Sequence, residues 1–173
     1  MIDRNKISSY NYLEFEINER VSFMEQSSNI EEQDLSLKLF VVLSRAMESI
    51  TKRVEEDIRR YGLNPTEFAV LELLYHKGDQ PIQKIGTKVL LASSSITYVV
   101  DKLEKKSFIE RKPCPRDRRV TYAVITNEGT ELMNEIFPKH KEAIQDIFAG
   151  LNNSEKDELI KQLKKLGLYA EEL

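Results

Sequence analysis

A chain of 173 residues that is 40 % hydrophobic has material for one domain with a real core, or for a domain with extended arms. Its net charge is −3 and no run of about 18 apolar residues occurs, so a soluble, cytoplasmic protein without a membrane-spanning helix is expected, and the start MIDRNKISSYNYLEFE lacks the apolar core of a signal peptide. One cysteine cannot form an intrachain disulfide, two histidines are too few for the usual zinc clusters, and no GxGxxG or GxxxxGK[ST] loop is present, so neither metal nor cofactor is expected.

Residues 1–32 are polar, with scattered apolar positions at Leu13, Phe15, Ile17 and Val21, and read as an arm whose order the sequence leaves open. From Gln33 to Arg60, Leu39, Leu43, Met47, Ile50, Val54 and Ile58 recur every three or four positions, which predicts a long helix over 33–62 ended by Gly62. Asn64-Pro65 then supplies a helix start, and Phe68, Leu71, Leu74 and Tyr75 carry the apolar face to Gly78.

Two short helical stretches follow, marked by Ile82, Ile85 and Val89 and by Ile96, Val99, Val100 and Leu103, with the turn LLASSS between them. This spacing reads as a helix-turn-helix, with Ser93 or Ser94 placed to cap the second helix. Away from its apolar face that helix presents Ser94, Ser95, Thr97, Tyr98, Asp101 and Lys102. Short hydroxyls can approach base edges, and Tyr98 and Lys102 can reach phosphate; a serine cluster can equally be ordinary capping. After Phe108 the period changes to two, which predicts two antiparallel strands, around Ile109–Lys112 and Val120–Ile125, joined by the loop PCPRDRR. Prolines and charge at an exposed edge discourage self-pairing, and arginines at a stiff hairpin tip also suit a narrow minor groove.

Charge is distributed unevenly. Between Gln80 and Tyr122 ten Lys/Arg face four acids, so this segment carries +6 and the remainder −9. A basic lobe on an acidic body is the footprint of a nucleic-acid binder, although charge alone does not separate it from an uneven solvated surface.

The segments NPTEFAVLELLYHKG, LLASSSITYVVDKLEKKSFIER and DRRVTYAVITNEG together resemble the MarR family of winged helix-turn-helix regulators, from about Gln33 to the C-terminus. The last matches the family's wing signature through Asp117, Arg119, Ile125, Thr126 and Gly129, whereas Ser107 stands where a glycine commonly ends the recognition helix. The resemblance implies a mainly α fold with a small β-hairpin wing, a DNA-binding lobe over 63–126, and terminal helices that build a symmetric dimer on a pseudo-palindromic double-stranded operator. It assigns Ser94, Ser95, Thr97 and Tyr98 to the major groove, Lys102 to phosphate, Arg119 to the minor groove, where the stiff hairpin tip could equally deliver Arg118, and Asp117 to steadying the wing by pairing with an arginine.

The C-terminal segment 127–173 carries two further apolar stripes. Thr126–Leu151 reads as a long helix kinked at Pro138, and Ser154-Glu-Lys-Asp157 as a capping box opening a last helix with Leu159, Ile160, Leu163 and Leu166. A winged helix alone does not bury both terminal helices, so a second copy is their natural partner.

Relatives of this kind respond to small phenolic or aromatic effectors, or to cysteine oxidation. Phe40, Met47, Phe68, Leu71, Tyr75 and His76 are candidates for an effector cleft, against the alternative that a stripe at helical spacing is core. LSLKLFVVLSRA and LNPTEFAVLELLYHKGDQP look closest to the branch that represses quinone and hydroquinone detoxification genes. Cys114, set between Pro113 and Pro115 near Lys112, Arg116 and Arg118, is a candidate redox sensor. Enzyme chemistry is not expected, since Cys114 with His76 or His140 has no third group to orient it, and a winged helix used for protein contacts is the remaining alternative.

Overall fold

Between Arg4 and Tyr61 the chain contains neither glycine nor proline, and in the computed structural model one helix, α1 (Arg4–Arg59), runs through the whole stretch. The structure describes residues 31–89, 95–117 and 119–173 in full, and the backbone alone of 4–30. Near residue 32, where the sequence pattern separates an arm from a helix, no helix breaker lies, and the helical backbone continues across it. Leu13, Phe15, Ile17 and Val21 have side chains outside the described residues.

The chain divides into two compact units, one ending at Ser49 and the other spanning Ile50–Leu173. In the first, Leu35, Leu37, Leu39, Phe40, Val41, Val42 and Met47 are all exposed.

In the second unit, Gly62 at φ +70° ends the first helix region. Helix α2 (Pro65–Lys77) starts on a capping box: Asn64 accepts from the Glu67 amide, and Glu67 accepts from the Asn64 amide. Gly78, also at φ +70°, stops it. Strand β1 (Gln80–Pro81), helix α3 (Ile82–Lys88) and helix α4 (Ile96–Lys105) follow, then β2 (Ile109–Pro113), β3 (Thr121–Ile125), α5 (Asn127–Ile147) and α6 (Asn153–Glu171). The sheet is antiparallel in the order β1-β3-β2, with Arg111 opposite Ala123 and Gln80 on its other side. The period-two pattern foretells β2 and β3; β1 is only two residues long and leaves no periodicity to read.

Apolar faces of α2, α3, α4, β2 and α5 meet in one core, where Leu71, Ile85, Val100, Leu103 and Met133 are completely buried. Within it lies a polar tie, His140 Nδ1 to Asp57 Oδ2 at 2.7 Å, with the His140 ring 4.5 Å from that of Phe68. The pair fixes α5 to the last turn of α1, and removing either partner would strand a buried polar group.

Two capping expectations need correction. The last helix opens on Asn152 and Glu155, which exchange both cap bonds, and not on Ser154 and Asp157. Glutamate has the additional methylene needed to reach back to the cap amide. At α4 the N-cap is Ser95 with no side-chain cap bond, and Ser93 and Ser94 lie outside the described residues.

Candidate nucleic-acid interface

Helix α4 buries Val99, Val100 and Leu103 and turns Ser95, Thr97 and Tyr98 outward, Tyr98 being 55 % exposed. Residues 97, 98, 101, 102 and 105 repeat at three and four, so they share one face. On it the Lys102 ammonium lies 4.8 Å from the centre of the Tyr98 ring. Its interaction with Tyr98 holds the lysine pKa above its ordinary value. Helix α4 begins close against α3, where a Cβ at Gly86 would meet Ile96 Cγ1 at 3.2 Å.

The wing loop between β2 and β3 is closed by backbone bonds from Cys114 N to Val120 O and from Val120 N to Asp117 O. Asp117 Oδ1 accepts from the Arg119 amide at 3.0 Å, whereas its distance to Arg119 Nε is 4.0 Å. The expected pairing with an arginine is therefore carried chiefly by the main chain, since a salt bridge this long with Arg119 95 % exposed adds little. The guanidinium of Arg119 is left projecting into solvent at the tip. Arg118 lies outside the described residues, as does Ser94.

All four acids of the basic segment are engaged. Glu110 pairs with Lys112 at 2.6 Å, Asp117 holds the Arg119 turn, and Asp101 and Glu104 both pair with Arg111. Burial works against the Arg111 charge, but hydrogen bonds and attraction from Asp101 and Glu104 raise its pKa above the ordinary arginine value. Lys106 is engaged as well, bonded to the Gly62 carbonyl and to buried Glu67, both at 3.0 Å. Lys84, Lys105 and Arg116 have no acidic partner among the described residues. The fold thus uses part of the segment's positive charge internally and leaves the rest facing outward.

Helix α4 is joined to the wing at Ser107, the one non-glycine residue with positive φ (+62°) among the described residues. The serine noted as a departure from the expected glycine therefore occupies the left-handed conformation that glycine would adopt freely. Its carbonyl accepts from the Thr126 hydroxyl at 2.7 Å, and that hydroxyl accepts from Gly129 N, so Thr126 caps α5 and ties it to the joint. Gly129 packs so closely that a Cβ would lie 2.2 Å from the Phe108 carbonyl oxygen.

The six candidate effector residues divide into three groups. Phe68 and Leu71 are in the core at 2 % and 0 % exposure, so they fill it and do not line an open cleft. Tyr75 and His76 flank Phe137, with ring centres 6.1 and 4.6 Å from it, and the Tyr75 hydroxyl donates to Asn134 Oδ1 at 2.6 Å. Phe40 and Met47 belong to the unit ending at Ser49 and are exposed there. Cys114 is partly exposed with a free thiol. Sequence reading missed Phe137, Asn134 and the Arg111 bridge, because each depends on a partner brought in by folding.

Residues 63–121, from just before α2 to the first residue of β3, match the model of the MarR family. The chain is 57 % identical to the Bacillus subtilis HTH-type transcriptional regulator MhqR over 137 residues, covering 79 % of this chain and 94 % of that protein. The chain belongs to the MarR family. It is also 43 % identical to the B. subtilis transcriptional regulator YkoM, covering 87 % of this chain and 97 % of YkoM. Its fold matches that of Sco3205, a MarR family regulator from Streptomyces coelicolor solved in complex with DNA, with a TM-score of 0.68 and 18 % identity over 76 % of this chain and 85 % of that one. This MarR family member is thus a DNA-binding transcriptional regulator with a mainly helical winged helix-turn-helix fold. No helix among its described residues is long and apolar enough to cross a membrane.

Proposed function

We propose that this MarR family regulator is a sequence-specific repressor that binds a pseudo-palindromic operator as a homodimer and is released by a small aromatic or quinone-like effector. The observation that carries the reading is the pairing of one exposed helix face, bearing Ser95, Thr97, Tyr98 and Lys102, with a wing whose tip arginine, Arg119, is 95 % exposed. The helix face suits hydroxyl and cationic contacts to base edges and phosphates in the major groove, and Arg119 suits insertion into the minor groove. Ser94 and Arg118, which neighbour Ser95 and Arg119 in sequence, are proposed for the same two roles.

Helix α6 supports the dimer. It buries none of its residues, and Leu159, Ile160, Leu163, Leu166 and Tyr169 all stand exposed, which favours association with a second copy. Two copies would set two recognition helices about one turn of B-DNA apart. Selection of bound fragments from random duplexes tests the reading. It should enrich an inverted repeat with half-sites about 10 base pairs apart, bound on the order of a thousandfold more tightly than random duplex at physiological salt. Absence of an enriched motif would reject sequence-specific regulation and favour a winged helix that contacts proteins.

For the effector, the observation is the aromatic group of Tyr75, His76 and Phe137, whose tilted and edge-on rings and polar Asn134 neighbour suit a planar phenol or quinone. The resemblance to the quinone-responsive branch and the identity to MhqR support the same class. Covalent capture by Cys114 is the rival route. Operator release by a benzoquinone and by its non-alkylating hydroquinone separates them: Cys114→Ser should leave both dose responses unchanged, and loss of the quinone response alone would make the thiol the sensor.

A further inference from the structure

Two carboxylates on the recognition helix, Asp101 and Glu104, stand one turn apart, and Asp101 shares the exposed face of Thr97 and Tyr98. An uncovered carboxylate there would repel phosphate. Both are bonded to one residue from outside the helix, Arg111 in strand β2: one terminal nitrogen of its guanidinium donates to Asp101 Oδ1, the other to Glu104 Oε2. Arg111 is 28 % exposed, so the contact is partly withdrawn from water, where charge-assisted bonds strengthen. A planar fork spans two acceptors; a lysine ammonium, a compact point charge, does not offer that geometry.

The position of this bridge gives it a mechanical consequence. β2 is an edge strand, paired to β3 alone, and leads directly into the wing loop. Helix and strand are also joined through Lys106–Phe108, where Ser107 N bonds to Glu104 O and Phe108 N to Leu103 O, and through the core, which buries Ile109 of β2 with Val99, Val100 and Leu103 of α4. Both of these lie at the start of β2 or in the core, and Arg111, two residues beyond that start, adds an attachment on the partly exposed side that restrains the strand as it leaves for the wing.

We propose that Arg111 is a positioning residue for DNA binding: by bridging Asp101 and Glu104 it ties the root of the wing to the recognition helix, so that the helix face and the wing-tip Arg119 are presented to DNA at a set spacing. The inference rests on the DNA-binding reading above and adds that Arg111, in the middle of the basic segment, works through protein contacts and touches no phosphate. Preorganisation of this kind strengthens operator binding, which needs both surfaces engaged together, more than it strengthens loose attachment to arbitrary duplex.

The native Cys114, just beyond β2 and the chain's sole cysteine, serves as a built-in reporter. The full-length protein is labelled there with a nitroxide, and Arg111→Lys, Arg111→Gln and the double variant Asp101→Asn/Glu104→Gln are compared by spin-label line shape without DNA and by titration with operator and random duplex. Helical circular dichroism and elution volume check that each variant folds. Arg111→Lys, which keeps the charge, should bind operator about tenfold or more weakly while keeping random-duplex binding within about twofold, and all three variants should show a sharper, more mobile nitroxide spectrum. Native operator affinity in Arg111→Lys would overturn the proposal, since any cation would then suffice. Equal losses on both duplexes would make Arg111 a phosphate contact, and an unchanged spectrum in all variants would remove the clamp. If the native protein bound no duplex, the DNA reading would fail, while the line shape would still report whether Arg111 restrains the wing.

Discussion

Val99, Val100 and Leu103 on the recognition helix are almost completely buried, whereas Leu159, Ile160, Leu163 and Leu166 on α6 remain 41–49 % exposed. Both helices carry apolar residues at three- and four-residue intervals, so periodicity alone does not distinguish them. The difference is where the partner comes from. The recognition lobe covers its own apolar face with α2, α3, β2 and α5, and pairs the acids of its basic segment internally. Helix α6 has capping and an apolar stripe that stays exposed among the described residues, and on the proposed reading a second copy covers it. One region is complete in a single copy, the other, on the proposed reading, only in a pair, and each can be broken without the other.

The largest expected effect is at Gly129. An added methyl there meets the Phe108 carbonyl at 2.2 Å, with Ile125 at 2.9 Å, and backbone cannot yield as a flexible side chain would. Gly129→Ala should destabilise the lobe by about 3 kcal/mol or more, read as a drop in Tm. A melting temperature within a few degrees of the native value would mean that the packing of the wing against α5 is looser than described. On α6, Leu163→Glu should act on the pair and leave the lobe. It should weaken self-association by about 2–3 kcal/mol in sedimentation equilibrium, while the core retains its cooperative unfolding. A dimer of unchanged affinity would mean that this stripe is not the interface.

Within the lobe, Arg119→Ala should cost on the order of 1–3 kcal/mol of operator affinity with the dimer intact. The wing turn should survive, because Asp117 holds the backbone amide of residue 119 and not chiefly its side chain. Unchanged affinity in a folded variant would argue against a minor-groove role.

These predictions draw on features of different legibility. Helix stops at Gly62 and Gly78, the start at Asn64-Pro65 and the wing strands were readable because each depends on a residue's own conformational preference or on its near neighbours. The Asp57–His140 pair joins residues 83 apart, and the Arg111 bridge requires the chain to turn back after α4, so neither leaves a local mark. Helix α1 is the opposite case: the polar residues before 33 give no stripe, yet nothing in them breaks a helix. The effector candidates failed to separate by period because buried Phe68 and Leu71 and outward-facing Tyr75 and His76 lie on the same helix.

On the recognition helix, Thr97→Ala or Ser95→Ala should cost about 1 kcal/mol on operator and less on random duplex, because hydroxyl contacts to base edges discriminate and phosphate contacts do not. Equal losses on both would assign these hydroxyls to the backbone.

The smallest effect is expected at Ser107, and its sign is the informative part. The residue holds φ +62°, a conformation that costs a side chain about 1–2 kcal/mol and glycine almost nothing. Its amide and carbonyl bonds, to Glu104 and Thr126, belong to the main chain and survive substitution. Glycine also adds freedom to the unfolded chain, worth about 0.4–1 kcal/mol against folding, so Ser107→Gly should stabilise the lobe by only about 0.5 kcal/mol. In thermal unfolding this appears as a rise of about 1–3 °C, with operator binding retained. A fall in Tm would mean that the serine side chain contributes more than its backbone strain costs, and that the joint between recognition helix and wing is tuned by that side chain.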